Sequence, residues 1–118
     1  SYFMVYVVMP QTYQNVVKTL TSTSVTDIYE CPQGATTILK TISALNTNAS
    51  NAATLIVHVY DSSADALFEF NTGSIAAVTR KPYLENGEVI VLESKDKLRM
   101  TAGTADYFDV FVSLLEIT

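Results

Sequence analysis

The stretch Thr26–Asn48, TDIYECPQGATTILKTISALNTN, decides the fold. It reads as two β-strands around a Pro32-Gln33-Gly34 turn, and it holds no residue that an enzyme would obviously use.

Working outward, the period stays at two. In ATLIVHVYDS, Leu55, Val57 and Val59 alternate with Ile56, His58 and Tyr60. EVIVLES and DKLRMTA read as short strands joined at Ser94-Lys95-Asp96, a tight-turn signal. In the second of these, Leu98, Met100 and Ala102 oppose Lys97, Arg99 and Thr101. DYFDVFVSLLEIT puts Phe108, Val110, Val112 and Leu114 on one side and Tyr107, Phe111, Leu115 and Ile117 on the other. β-Branched and aromatic residues dominate these runs, as a pleated surface favours.

Turn signals fall at Pro32-Gln33-Gly34, Asn46-Thr47-Asn48, Asp61-Ser62-Ser63, Asn71-Thr72-Gly73, Asn86-Gly87 and Ala102-Gly103. Turns roughly 8–12 residues apart mark a sandwich or barrel. SIAAVT, a weak helical-turn pattern, fits its neighbours better as a strand. The expected fold is all-β: one antiparallel β-sandwich, jelly-roll-like, over residues 21–118. Residues 1–20 form an N-terminal arm or a first strand.

The totals agree with one domain: 118 residues and 12.9 kDa. Hydrophobic residues make up 48% and charged residues 16%, against about 25% charged in an average domain. Mean hydropathy is positive. A small domain has much surface to cover with polar groups, so this excess of apolar material implies burial against other chains. YFMVYVVMP, Tyr2 to Pro10, is the only long apolar run. It is too short to span about 30 Å of hydrocarbon as a helix and lacks a signal peptide's basic start. A soluble protein that assembles is therefore expected, with no membrane partner.

A net charge of −5 argues against nucleic acid, which needs clustered Lys and Arg. Arg80-Lys81 and the group Lys95, Lys97 and Arg99 are too sparse for that. Cys31 is the single cysteine, so no internal disulfide forms. Asn48-Ala49-Ser50 is a common chance match to a glycosylation sequon.

Nothing in the sequence assembles a catalytic set. His58 is the only histidine and lies mid-strand without a local nucleophile or orienting partner. Asp61-Ser62-Ser63-Ala64-Asp65 spaces oxygens like the start of a calcium loop but lacks the required glycine and glutamate. Glu85, Glu88, Glu93 and Asp96 form an acidic neighbourhood without the cleft and stacking aromatics of a glycosidase. The expectation is a non-enzymatic protein with no catalytic residues, metal or cofactor.

Two stretches carry a family resemblance. TSVTDIYECPQGATTILKTISALNTNASNAATLIVHVYDSS, with its T-x-I-Y-x-x-P-x-G turn, resembles a small β-sandwich of tailed-bacteriophage virions. VIVLESKDKLRMTAGTADYFDVFVSLLEI resembles that family's ending, a Leu-x-x-x-Asp-x-Leu hairpin and a closing strand ending in Leu-Glu. The match runs from about Thr21 to Ile117, with Ser94-Lys95 replacing the usual glycine pair. The resemblance implies a capsid decoration (cement) protein located on the virion, forming trimers and bridging the major capsid protein. A tail or neck accessory protein, acting as an adaptor or a receptor- or glycan-binding module, is the alternative. Its reading loops would be Asp61–Asp65 and Asn71–Gly73.

Apolar residues on second faces set the expected contacts. Ile56, His58, Tyr60, Tyr107, Phe111, Leu115 and Ile117 are expected at the oligomer interface. Tyr2, Phe3, Val5 and Tyr6 are expected to dock on the capsid or add a strand to a neighbouring chain.

Overall fold

The structure is a computed structural model and describes residues 9–118. Nine strands make up its regular structure: β1 (Gln11–Thr19), β2 (Thr26–Glu30), β3 (Thr36–Asn46), β4 (Ala53–Asp61), β5 (Ala66–Ile75), β6 (Arg80–Pro82), β7 (Ile90–Leu92), β8 (Lys97–Ala102) and β9 (Phe108–Ile117). Every pairing is antiparallel.

Two sheets result. Sheet A runs β1-β9-β3-β6, with β7 also on β3; sheet B runs β2-β8-β4-β5. The chain changes sheet at nearly every connection, and β4–β5 is the hairpin that stays within one. Taking β6 and β7 as two halves of one broken strand, this is the eight-strand double Greek key of a jelly roll.

The crossings follow from the faces. On β9, Phe108, Val110, Val112 and Leu114 are buried; on β4, Leu55 and Val57; on β8, Leu98, Met100 and Ala102. Each strand has one strongly apolar face, and two such sheets bury those faces against each other. The Pro32–Ala35 turn closes with Ala35 N–H donating to the Pro32 carbonyl at 3.1 Å. Gly34 sits there at φ 81°, where a side chain would strain the backbone. At Asn86-Gly87, φ values of 56° and 78° suit the paired left-handed residues of a type I′ turn.

The structure corrects three local expectations. β7 and β8 are strands but do not pair with each other: β7 joins β3 in sheet A, and β8 joins β2 and β4 in sheet B. The Ser94-Lys95-Asp96 turn is thus an arch between sheets, with Lys95 at φ 71°. Asn71-Thr72-Gly73 lies inside β5, beside a bulge opposite Val57 and His58. Ala76–Thr79 continues past β5 as irregular chain, not strand.

Candidate functional site

The outer face of sheet A holds two apolar rows set by register. One row is Val17 of β1, Phe111 of β9, Ser43 of β3 and Pro82 of β6. The other is Tyr13, Leu115, Ile38 and Val91 on β1, β9, β3 and β7. Between them Asn15, Ser113 and Thr41 form a polar row, and Ser113 Oγ donates to Asn15 Oδ1 at 3.0 Å. Tyr13 is 76% exposed, Val17 65%, Val91 54% and Phe111 37%, while Leu115 is buried. A groove of about 420 Å³ runs beside Phe111, bounded by Thr41, Ser43, Arg80, Pro82 and Leu84. If a partner covered a few hundred Å² of this face, roughly 25 cal/mol per Å² would make it worth several kcal/mol.

The outer face of sheet B has a different chemistry. Ile56, His58 and Tyr60 lie on it, opposite Thr101, Arg99 and Lys97 of β8. The Arg99 guanidinium stacks 4.5 Å from the Tyr60 ring centre, and the Lys97 ammonium lies 5.9 Å from it. Arg99 Nε donates to Asp27 at 2.6 Å, and Lys97 pairs with Asp27 and Glu30 at 3.3 and 3.6 Å. Partial burial pushes the Asp27 carboxyl up, but Arg99 and Lys97 outweigh it and hold it below the usual carboxylate range. The Tyr60 hydroxyl donates to Asp65, which raises its pKa. This face is a ladder of charge and aromatic rings.

The seven expected interface residues therefore divide. Phe111, Leu115 and Ile117 share the outer face of sheet A; Ile56, His58 and Tyr60 share that of sheet B. Tyr107 belongs to neither. It precedes β9, its carbonyl accepts from Thr47 N at 2.7 Å, and its ring packs against the core. Tyr2, Phe3, Val5 and Tyr6 lie outside the described residues. Sequence reasoning missed Val17, Ile38, Pro82 and Val91. The i, i+4 spacing of Tyr13 and Val17 was a usable signal, but register alone lines them up with Leu115 and Phe111.

Most groups that chemistry would need are engaged in structure. His58 is buried; its Nε2 lies 2.9 Å from Thr101 Oγ1, and its Nδ1 has no hydrogen-bond partner among the described residues. Burial holds the imidazole below its ordinary pKa. Asp61 Oδ1 accepts from Ser63 N, Ser63 Oγ and Ala64 N, closing the β4–β5 turn. Asp96 accepts from Ser62 N and Glu93 N, both at 2.9 Å. Burial pushes the Cys31 thiol up, away from the reactive thiolate. In a cleft of about 590 Å³ between β1 and β2, both cations already have partners: Lys18 donates to the Asp27 carbonyl and Arg99 to its carboxylate. Among the described residues no cluster of three or more His, Cys, Asp or Glu is placed to hold a metal, and no helix is long and apolar enough to cross a membrane.

Neither a family model nor a curated protein matches the chain. Solved structures do. The fold is similar to that of a Bacillus endospore appendage protein, from a family of disulfide-linked pili. That match has 10% identity and a TM-score of 0.56, covering 100% of this chain and 96% of that one. It is also similar to a chain of the XSV VLP, from the extra small virus of the giant freshwater prawn Macrobrachium rosenbergii. There the identity is 7% and the TM-score 0.51, covering 98% of this chain and 83% of that one. These likenesses show the fold.

Proposed function

We propose that this protein is a non-enzymatic structural subunit: a capsid decoration (cement) protein of a bacteriophage virion. In this reading it forms a homotrimer and bridges neighbouring major capsid proteins. The observation that carries the proposal is the outer face of sheet A, where exposed Tyr13, Val17 and Phe111 continue across the strands into Pro82 and Val91. Particle symmetry repeats a modest contact at many identical sites, so an apolar face of this size suffices. Both solved neighbours are subunits of assemblies, a pilus and a virus-like particle, which supports an assembly role for this fold here. The engagement of Asp61, Asp96 and Cys31 in packing and turns supports a role without catalysis.

Cosedimentation of the purified protein with undecorated capsids tests the reading. Saturable binding that raises the particles' disruption temperature is expected. Absence of binding to any intact particle of the source virus overturns the decoration role.

A filament subunit is the second reading. The observation favouring it is the nearly complete mutual coverage with the pilus protein. Electron microscopy of the purified protein separates the two: small oligomers without fibres support decoration, and open fibres support a filament.

A further inference from the structure

Among the described residues each sheet has two edges, and the four differ. β2 is five residues long, bulged, and carries Asp27 and Glu30. The edge opposite β1 in sheet A is broken into β6 and β7, three residues each, with Arg80, Lys81 and Pro82 in the first. Short length, bulges, charge and proline are the devices that keep an edge from pairing with another chain. β5 has fewer of them, though it too is bulged, at Phe70. It is ten residues long, pairs with β4 alone, and carries one charged residue, Glu69. Its Leu67, Phe68 and Phe70 are 42%, 56% and 37% exposed. β1, nine residues with a single lysine, is the other open edge, and it continues from the apolar run that begins at Tyr2.

We propose that Tyr2–Val8 of a second copy pairs along β5 as a fifth strand of sheet B. This rests on the assembly reading above and adds to the sheet A face a second contact, on the edge of sheet B. The donor run, YFMVYVV, has no charge, glycine or proline and is made almost wholly of aromatic and β-branched residues. Its base is fixed, because the Pro10 carbonyl accepts from Thr118 N at 3.0 Å and pairing begins at Gln11↔Ile117. The acceptor offers the backbone of 66–70 and three exposed apolar side chains, the pattern used when a peptide is captured by strand addition; beyond it Asn71 Oδ1 accepts from Lys81 Nζ and the Ile75 carbonyl from Asn46 Nδ2.

Reach selects a second copy over the chain's own segment. β1 and β5 stand on opposite flanks and in opposite sheets; β5 lies by β6, where Lys81 Nζ donates to Asn71 Oδ1. Three strand spacings of about 4.8 Å and a sheet separation of about 10 Å put β5 roughly 17 Å from β1. At about 3.3 Å per residue the crossing takes some five residues. That uses Met9 back to Val5 and leaves only Tyr2 to Met4 to pair. A neighbour's segment needs no such crossing.

The test uses the full chain. Equimolar Val5→Cys and Phe70→Cys proteins are mixed and mildly oxidised, with the fully buried Cys31 left in place. A disulfide-linked pair of one copy of each is expected, and none when Phe111→Cys replaces Phe70→Cys. Phe68→Lys with Phe70→Lys, both at exposed sites, is expected to weaken self-association at least about tenfold while the circular dichroism spectrum and melting temperature hold. A wild-type protein that is monomeric at micromolar concentration removes this inference and the assembly reading together. An oligomer that survives the two lysines, or whose Val5→Cys copy bridges Phe111→Cys and not Phe70→Cys, removes this inference alone. So does a Val5→Cys/Phe70→Cys double variant that bridges only within one chain.

Discussion

Val17 of β1 and Phe111 of β9 are direct cross-strand partners on the outer face of sheet A, and both side chains remain exposed. Cross-strand pairs act as units. If this pair is part of a contact between subunits, Val17→Asp and Phe111→Asp should each abolish it. The double variant should be no worse than either single one, because neighbours sharing one contact are not additive. Light scattering reads the assembly. Urea unfolding should change by no more than about 1 kcal/mol, since neither side chain fills the core. Equal unfolding losses in all three variants, with assembly retained, would count against the account.

On sheet B the Tyr60–Arg99–Asp27 ladder is expected to stabilise the sheet modestly. Arg99→Ala should cost about 1 kcal/mol, given an exposed ion pair and a cation–π contact. The cost should shrink in 1 M salt, where the ion pair is screened over about 3 Å. Urea titrations at two salt concentrations check this.

Acid should destabilise the fold in two windows. Burial holds the His58 imidazole below its ordinary value of 6.5. Between 6.5 and its lower folded value the unfolded chain takes a proton that the folded chain refuses, so stability falls as pH drops. Asp27, beside Arg99 and Lys97, sits below the ordinary carboxylate value of 3.8; its contribution is present above 3.8 and is lost as pH falls through the lower folded value. Thermal melts from pH 8 to 2 should show both declines. His58→Gln should remove the first, and Asp27→Asn the second.

Phe108 is fully buried at the start of β9 and among the largest side chains in the core. Phe108→Ala should cost about 3–5 kcal/mol. That is a large part of the 5–15 kcal/mol expected of a whole domain. A drop of the urea midpoint with unchanged slope is the expected result.

Val78, exposed in the loop after β5, holds φ 54°. A β-branched residue is strained there. Val78→Gly should raise stability by up to about 1 kcal/mol, because glycine relieves that strain but is more flexible when unfolded. Differential calorimetry reads the sign.

Period two made the strands legible in the sequence. The inner faces of β4, β8 and β9 follow directly from alternation, as Leu55, Leu98 and Phe108 show. What alternation does not contain is the sheet to which each strand belongs. Leu92 and Leu98 look like the two arms of one hairpin in sequence, yet they lie in opposite sheets, because Lys95 turns the chain through a left-handed backbone conformation. The site suffered for the same reason. Tyr60 and Phe111 both read as apolar second-face residues, but Tyr60 is neighboured by Arg99 and Phe111 by Val17, and only the strand order distinguishes those neighbours.

Sedimentation equilibrium of the wild-type protein beside Phe111→Asp at micromolar concentration tests the assembly surface most directly. A wild-type mass near three times 12.9 kDa and a folded Phe111→Asp subunit of single-chain mass are expected. A wild-type protein that sediments as one chain, or a Phe111→Asp protein that assembles as the wild type does, would contradict the assembly reading.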